Sequence, residues 1–221
     1  MKKLIIFSAL LLFVNTVFGQ SFKPVKLDDL VTVSLPAGYT QKDTLGQHIV
    51  SVNSQFGYMV AIREPNAKGN QPLKKENDLN SVLKNYIKGI QGQTSNGSTQ
   101  NVRDTTVGTL KAKVFTLRTD DGSGSIQYRN FVLIYTQDAT YTLEYVYADA
   151  RADVMKEEAK TFFSSIKLSP ELQRNDQYTD INSSSSGAGN YIIFEIAGGL
   201  LLIFAIIWLI VKRQRNKMIL E

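Results

Sequence analysis

Residues 125–147 read SIQYRNFVLIYTQDATYTLEYVY, and this stretch decides the fold class. It contains two segments rich in aromatic and β-branched residues, Ser125–Tyr135 and Tyr141–Tyr147, which are typical of strands. The short polar break Gln137–Thr140 between them favours a hairpin. A similar break, Asp120–Gly124, precedes the first segment. Consecutive hairpins predict an antiparallel sheet and argue against a parallel doubly wound fold.

The rest of the middle of the chain alternates between strand and helix patterns. Apolar residues at 79, 82, 83, 86, 87 and 90 predict a helix with one buried face. Further strands are predicted at Val31–Leu35, Ile49–Val52, Tyr58–Ile62, Asn101–Thr106 and Lys111–Arg118, and a last helix at Arg151–Ile166. This order predicts an α+β fold in which two main helices cover an antiparallel sheet.

The two ends of the chain carry targeting and anchoring patterns. Residues 1–19 combine a dilysine start with an apolar run, which predicts a signal peptide cleaved before Gln20, with an uncleaved anchor as the alternative. Residues 191–211 contain one charged residue and are long enough to cross about 30 Å of hydrocarbon as a helix. The basic tail 212–221 follows, so the positive-inside rule places it in the cytoplasm. We expect a single-pass protein of the cell (inner) membrane, with its N-terminal domain outside the cytoplasm.

These ends leave residues 20–170 as one extracytoplasmic domain and the Ser/Gly-rich residues 171–190 as a flexible linker. Within the predicted span, Glu195, Gly198 and Gly199 are candidate intramembrane contacts, because charged and small residues in a span mediate helix packing. The alternative is that Glu195 reaches the outer headgroup layer, or that the span begins one turn later, at Ile196.

The charge distribution excludes one class of partner. The formal net charge is +5, but residues 20–189 hold 19 Lys/Arg and 18 Asp/Glu, so the excess lies at the ends of the chain. The positive balance is therefore a topology signal, and no nucleic-acid partner is expected. Cysteine is absent and His48 is the sole histidine, which argues against thiol chemistry, disulfides and zinc.

Short catalytic motifs occur without the residues that would complete them. Ser81–Lys84 and Ser164–Lys167 match S-x-x-K, but the Ser-Asp-Asn and Lys-Thr-Gly partners are missing. Gly122–Gly124 precedes a strand where a dinucleotide site needs a helix. Asp120–Gly122 lacks the spacing of a calcium loop. We expect no catalytic, cofactor or metal site.

The candidate binding surface is aromatic. One face of a predicted strand carries Tyr141, Tyr145 and Tyr147, and the preceding strand carries Tyr128 and Tyr135. Tyrosine offers a rigid apolar ring with a polar tip, so this face suits a ligand or a partner protein. The alternative is cross-strand packing beneath a helix.

A small basic patch lies on the predicted first helix. Lys84 and Lys88 are one turn apart, and Lys74 and Lys75 come just before the helix. The patch suits anionic lipid headgroups, and the alternative is an ordinary solvated helix face.

Two segments resemble a known family. The strand and turn Val31–Tyr39, VTVSLPAGY, and the closing segment Ala159–Leu168, AKTFFSSIKL, are similar to those of the PsbP, Mog and DcrB-like superfamily. The resemblance covers roughly residues 25–169. It implies a PsbP-like αβα sandwich and non-enzymatic accessory or binding roles, and it carries over no functional residue.

Together these patterns favour a membrane-anchored binding or scaffold protein, an accessory subunit that contacts the bilayer and another envelope protein. The alternative is a small-ligand binding or sensing domain that uses the tyrosine face. A hydrolase rests only on the incomplete S-x-x-K matches.

Overall fold

The computed structural model describes residues 21–67, 72–94, 96–120, 122 and 124–180. Within them, the strands are β1 Phe22–Lys26, β2 Val31–Pro36, β3 Thr40–Thr44, β4 Gln47–Asn53, β5 Tyr58–Pro65, β6 Ser98–Val107, β7 Leu110–Asp120, β8 Ile126–Tyr135, β9 Ala139–Ala148 and β10 Lys167–Leu168. Seven of these strands form a large antiparallel sheet in the order β3-β4-β5-β9-β8-β7-β6. The other three form a small sheet in the order β1-β2-β10.

The described helices are α1 Glu76–Gly92, α2 Lys156–Ser164 and short 3-10 turns at Asp149–Arg151 and Arg174–Asp176. Helix α1 forms because its apolar stripe is buried at the spacing of an α-helix, through Leu79, Leu83, Tyr86, Ile87 and Ile90. At the start of the helix, the Asp78 carboxylate accepts a hydrogen bond from the Lys75 backbone N–H at 3.0 Å. This backbone group would otherwise have no partner within the helix.

Both faces of the large sheet are covered, and by different elements. On the α1 face, the apolar stripe of α1 packs on large-sheet side chains including Ile62, Phe131 and Leu133. On the opposite face, which we call the small-sheet face, β2 and α2 pack on another apolar cluster of the large sheet. Because side chains alternate along a strand, successive residues of β5 and of β8 point into the two clusters in turn.

The predicted α+β class, the hairpins and the antiparallel sheet with two helices are confirmed. The two helices are not the whole cover, because the small sheet shares one face with α2. Of its three strands, β2 was predicted, whereas β1 and β10 carried little signal, because β1 contains Pro24 and β10 has two residues. Strand β3 is polar and almost fully exposed.

The last helix is shorter than predicted. It was expected at Arg151–Ile166, whereas α2 begins at Lys156 after the separate 3-10 turn. Met155, Ala159 and Phe162 are buried, but Val154 is exposed and no residue from 151 to 154 is buried. The early residues therefore gain no packing that would hold them in a continuous helix.

The folded domain extends beyond the predicted boundary at residue 170. Residues 171–180 were assigned to the linker, but Leu172, Gln177 and Tyr178 are buried. The Gln177 side chain is fully buried at the end of the large sheet, between β7 and β8. Leu172 packs in the small-sheet cluster and Tyr178 in the α1 cluster, so this segment passes from one face of the sheet to the other.

The predictions for the ends of the chain lie outside the described residues. These are the signal peptide at 1–19, the remaining linker 181–190, the span 191–211 with Glu195, Gly198 and Gly199, and the tail 212–221. In the part of the chain that the structure describes, no helix is long and apolar enough to span a bilayer.

Candidate functional site

The predicted tyrosine face divides into a buried part and an open part. Tyr141 and Tyr145 are 1% and 0% exposed, within the apolar cluster under the small sheet and α2. The Tyr145 ring lies 6.5 Å from the ring of Phe162 on α2. For these two residues the alternative of core packing is the correct one, because a second layer covers them.

Tyr135 lies on the other face of the sheet. It packs in the α1 cluster, while Tyr128 on the same strand is paired with Tyr147 on the small-sheet face. The interval from 128 to 135 is odd, so the period of two in a strand already separates the two side chains. The prediction that all five tyrosines share one surface is therefore wrong.

The two buried tyrosines each donate a hydrogen bond to a carboxylate. The Tyr141 hydroxyl reaches Asp28 Oδ2 at 2.6 Å, and the Tyr145 hydroxyl reaches Glu158 Oε2 at 3.1 Å. Burial first, and then the adjacent carboxylate, raises the pKa of each phenol. Both hydroxyls stay protonated and serve as structural donors across the interface between layers.

Asp28 anchors the turn between β1 and β2 to the large sheet. Its Oδ1 accepts the backbone N–H groups of Leu30 and Val31, and its Oδ2 accepts Arg63 Nε at 2.7 Å in addition to the Tyr141 hydroxyl. Burial raises the pKa of Asp28, but these hydrogen bonds outweigh it and the net pKa is lowered. The carboxylate is saturated with donors, so it acts as a structural lock.

Glu158 plays a similar part at the opposite end of the sheet. Its carboxylate accepts the backbone N–H of Gln55 at 3.2 Å and of Phe56 at 3.0 Å, besides the Tyr145 hydroxyl. It thereby fastens α2 to the turn between β4 and β5. Neither Asp28 nor Glu158 was singled out from the sequence, because an isolated acidic residue carries no pattern.

The open part of the tyrosine face is a strip on β7, β8 and β9. We call it the tyrosine strip, and it consists of the half-buried residues Thr116, Arg118, Tyr128, Asn130 and Tyr147. The strand register places Arg118, Tyr128 and Tyr147 side by side. Its side chains lie on the small-sheet face, and they are only partly covered.

The geometry of the tyrosine strip is preorganised. The rings of Tyr128 and Tyr147 stack with centroids 5.5 Å apart and planes 20° apart. Thr116 Oγ1 donates to Asn130 Oδ1 at 2.9 Å. Burial is the largest cause of the raised pKa of Tyr147. The strip is thus a flat aromatic surface with a cation, an amide and hydroxyl groups at its edges, which suits protein contacts.

The α1 face contains a buried ion pair. The side chains of Arg129 and Glu144 are 7% and 1% exposed, and Arg129 Nε donates to Glu144. The Arg129 guanidinium also lies 5.3 Å from the centre of the Phe131 ring. A pair so deeply enclosed is unavailable to a partner and contributes to the internal structure.

The serines of the S-x-x-K matches bond to backbone. Ser81 Oγ donates to the Asn77 carbonyl and Ser164 Oγ to the Thr161 carbonyl, which are helix-surface contacts. His48 is 24% exposed, with Nδ1 2.7 Å from Asp43 Oδ1. Among the described residues, no group of three His, Cys, Asp or Glu side chains is arranged to hold a metal ion.

Comparison with known proteins yields structural similarities only. No protein-family model matches the sequence, and no curated protein matches it. The solution structure of cyanobacterial PsbP (CyanoP) from Synechocystis is 13% identical, with a TM-score of 0.48 over 70% of this chain and 96% of that chain. A protein of unknown function from Pseudomonas aeruginosa is 11% identical, with a TM-score of 0.42 over 69% and 99%.

A third solved structure, from Bacteroides thetaiotaomicron, is 10% identical, with a TM-score of 0.41 over 64% of this chain and 46% of that chain. Similarity at these levels concerns the course of the backbone. It transfers neither a ligand nor a partner, so the function is argued from the surface itself.

Proposed function

We propose that this chain is a non-enzymatic, membrane-anchored extracytoplasmic binding or scaffold protein. In this proposal, the signal peptide and the span at 191–211 place the domain outside the cytoplasm at the cell (inner) membrane. The domain then serves as an accessory subunit of an envelope complex and binds another envelope protein. The sequence patterns of the two ends support the location.

The tyrosine strip carries the proposal for the binding surface. Stacked, half-buried aromatic residues flanked by an arginine have the composition of protein interfaces. The strip is held by the stacking of Tyr128 on Tyr147 and by the hydrogen bond from Thr116 to Asn130, so little conformational freedom is lost on binding. A small-ligand site across the whole tyrosine face has less support, because Tyr141 and Tyr145 are enclosed in the core.

Site-specific photo-cross-linking in intact cells tests this proposal. A photoreactive phenylalanine analogue replaces Tyr147 in the full chain, and the matched control replaces Tyr39, an exposed tyrosine outside the strip. We expect a discrete adduct of one size from position 147 and none from position 39. Mass spectrometry of the adduct identifies the partner.

A second variant connects the adduct to the strip. Tyr128→Ala removes the stacking partner of Tyr147, and loss of an aromatic interface anchor commonly weakens binding by about 2 kcal/mol, or about thirtyfold. We expect the adduct from position 147 to disappear while the amount of protein in the membrane stays the same. Equal adducts from positions 147 and 39 would refute the strip as the binding surface.

A further inference from the structure

The last described residues, Thr179 and Asp180, lie beside the N-terminal end of α1. The backbone N–H of Thr179 donates to the Leu73 carbonyl at 2.9 Å, and that of Asp180 donates to the Lys74 carbonyl at 2.7 Å. Tyr178, just before them, is 3% exposed in the same apolar cluster as α1. The segment toward the predicted membrane span therefore leaves the domain on the α1 side of the large sheet.

The outward stripe of α1 is basic. We define it as the exposed residues of this helix, Asn77, Ser81, Lys84, Asn85, Lys88 and Gly92. It carries two lysines and no carboxylate. Asp78, near the start of α1, is engaged by backbone N–H groups, and Glu76 pairs with Lys111. The nearest acidic side chains on α1 are thus already committed to other contacts.

The remaining linker is short compared with the helix. Residues 181–190 have a Ser/Gly-rich composition, for which the root-mean-square reach is about 17 Å, whereas the 17 residues of α1 extend about 25 Å. At this average reach, a bilayer attached through the linker lies within one helix length of the point where the chain leaves the domain beside α1. Its headgroups are the surface that the outward stripe meets first.

We propose that the outward stripe of α1 docks on the anionic lipid headgroups of the membrane in which the chain is anchored. This inference rests on the proposed membrane anchor. The stripe and the tyrosine strip are on opposite faces of the large sheet. Docking on α1 therefore turns the tyrosine strip away from the bilayer and toward other envelope proteins.

Fluorescence energy transfer to labelled lipid tests the orientation in the full chain. Because the sequence has no cysteine, Asn85→Cys on the outward stripe and Gln100→Cys on the small-sheet side of β6 each give one labelling site. Each protein is reconstituted in vesicles of phosphatidylcholine alone or with about 30% phosphatidylglycerol, with an acceptor dye on a trace headgroup. We expect phosphatidylglycerol to raise transfer at position 85 and not at position 100.

A charge-removing variant identifies the lysines as the cause. Lys84→Gln with Lys88→Gln, in the Asn85→Cys chain, should lower the ratio of docked to undocked domain about fivefold per lysine. The matched control, Lys42→Gln with Lys23→Gln, removes the same charge from exposed positions on other elements and should leave transfer unchanged.

The possible failures are distinguishable by extraction of the vesicles with alkaline carbonate. If the chain is extracted, the membrane anchor is refuted and the docking proposal falls with it. If the chain resists extraction and transfer at position 85 does not respond to phosphatidylglycerol, the docking proposal alone is overturned. Equal responses at positions 85 and 100 also overturn it.

Discussion

Replacing Gln177 with alanine tests whether the C-terminal segment is part of the fold. The Gln177 side chain is fully buried and makes three hydrogen bonds at the end of the large sheet. Its Oε1 accepts the Lys111 backbone N–H at 2.7 Å. Its Nε2 donates to the carbonyls of Lys111 and Tyr135, at 2.8 Å each. One amide thus replaces the strand-to-strand bonds that end between β7 and β8.

The expected loss follows from these three bonds. A net contribution of about 0.5–1.5 kcal/mol for each bond gives about 1.5–4.5 kcal/mol in total. The Lys111 N–H lies at a buried sheet end, so its loss of a partner keeps the value from falling below the middle of this range. We expect Gln177→Ala to lower the free energy of unfolding by about 3 kcal/mol.

Urea unfolding of a segment covering residues 21–180, followed by circular dichroism, measures this change. With a slope of about 2 kcal/mol per molar urea, the midpoint should fall by about 1.5 M. Gln100→Ala, at an exposed position on β6, is the control and should stay within about 0.5 kcal/mol of the parent. A Gln177→Ala midpoint equal to that of the control would show that residues 171–180 add nothing to stability.

Three other substitutions test the buried polar groups. In the same urea assay, Glu144→Ala should lower the free energy of unfolding by about 3–5 kcal/mol, because it removes the carboxylate that faces the buried Arg129 charge. The control Glu157→Ala removes an exposed carboxylate of α2 and should change the free energy of unfolding little. Asp28→Asn should be less stable than the parent above about pH 4, and the difference should disappear as the pH falls further. The reason is that the lowered pKa of Asp28 stabilises the fold only while this carboxylate is ionised. Parallel pH profiles of the two proteins would contradict the role of Asp28 as a structural lock. Glu64→Gln should be at least as stable as the parent at pH 7, and the difference should vanish near pH 4. The reason is that burial raises the pKa of Glu64, so the fold favours its neutral form. Unfolding free energies of both proteins at the two pH values measure this, and the expectation is wrong if the variant loses stability relative to the parent between pH 4 and pH 7.

The long strands and α1 could be predicted because their own residues carry the signal. Tyr58–Ile62 and Tyr141–Tyr147 are rich in β-branched and aromatic residues, and the apolar positions of α1 repeat at helical spacing. Elements without such a pattern were missed. Strand β3 is polar because it is an exposed edge, so its existence depends on pairing with β4 and not on its composition.

Of the candidate site, the sequence singled out Tyr128 and Tyr147 as residues, but it did not predict the surface to which they belong. Because side chains two residues apart in a strand share a face, the placement of Tyr145 and Tyr147 on one face follows from the sequence alone. The same period of two places Tyr128 and Tyr135 on opposite faces. Which tyrosines remain open depends on which of them the small sheet and α2 cover. Thr116 and Arg118 join the strip only through strand register, which links residues far apart in sequence.

The sequence by itself determined the fold class, because hydrophobic periodicity and hairpin breaks are local consequences of the residues present. The apolar length of residues 191–211 and the basic tail also predict a topology at the membrane, and this stays a prediction. Only the tertiary structure decided that Tyr141 and Tyr145 are buried, that the domain continues to Asp180, and that the chain leaves beside α1. These three facts depend on contacts between distant segments, such as those of Gln177 with two strands, and no local pattern encodes such contacts.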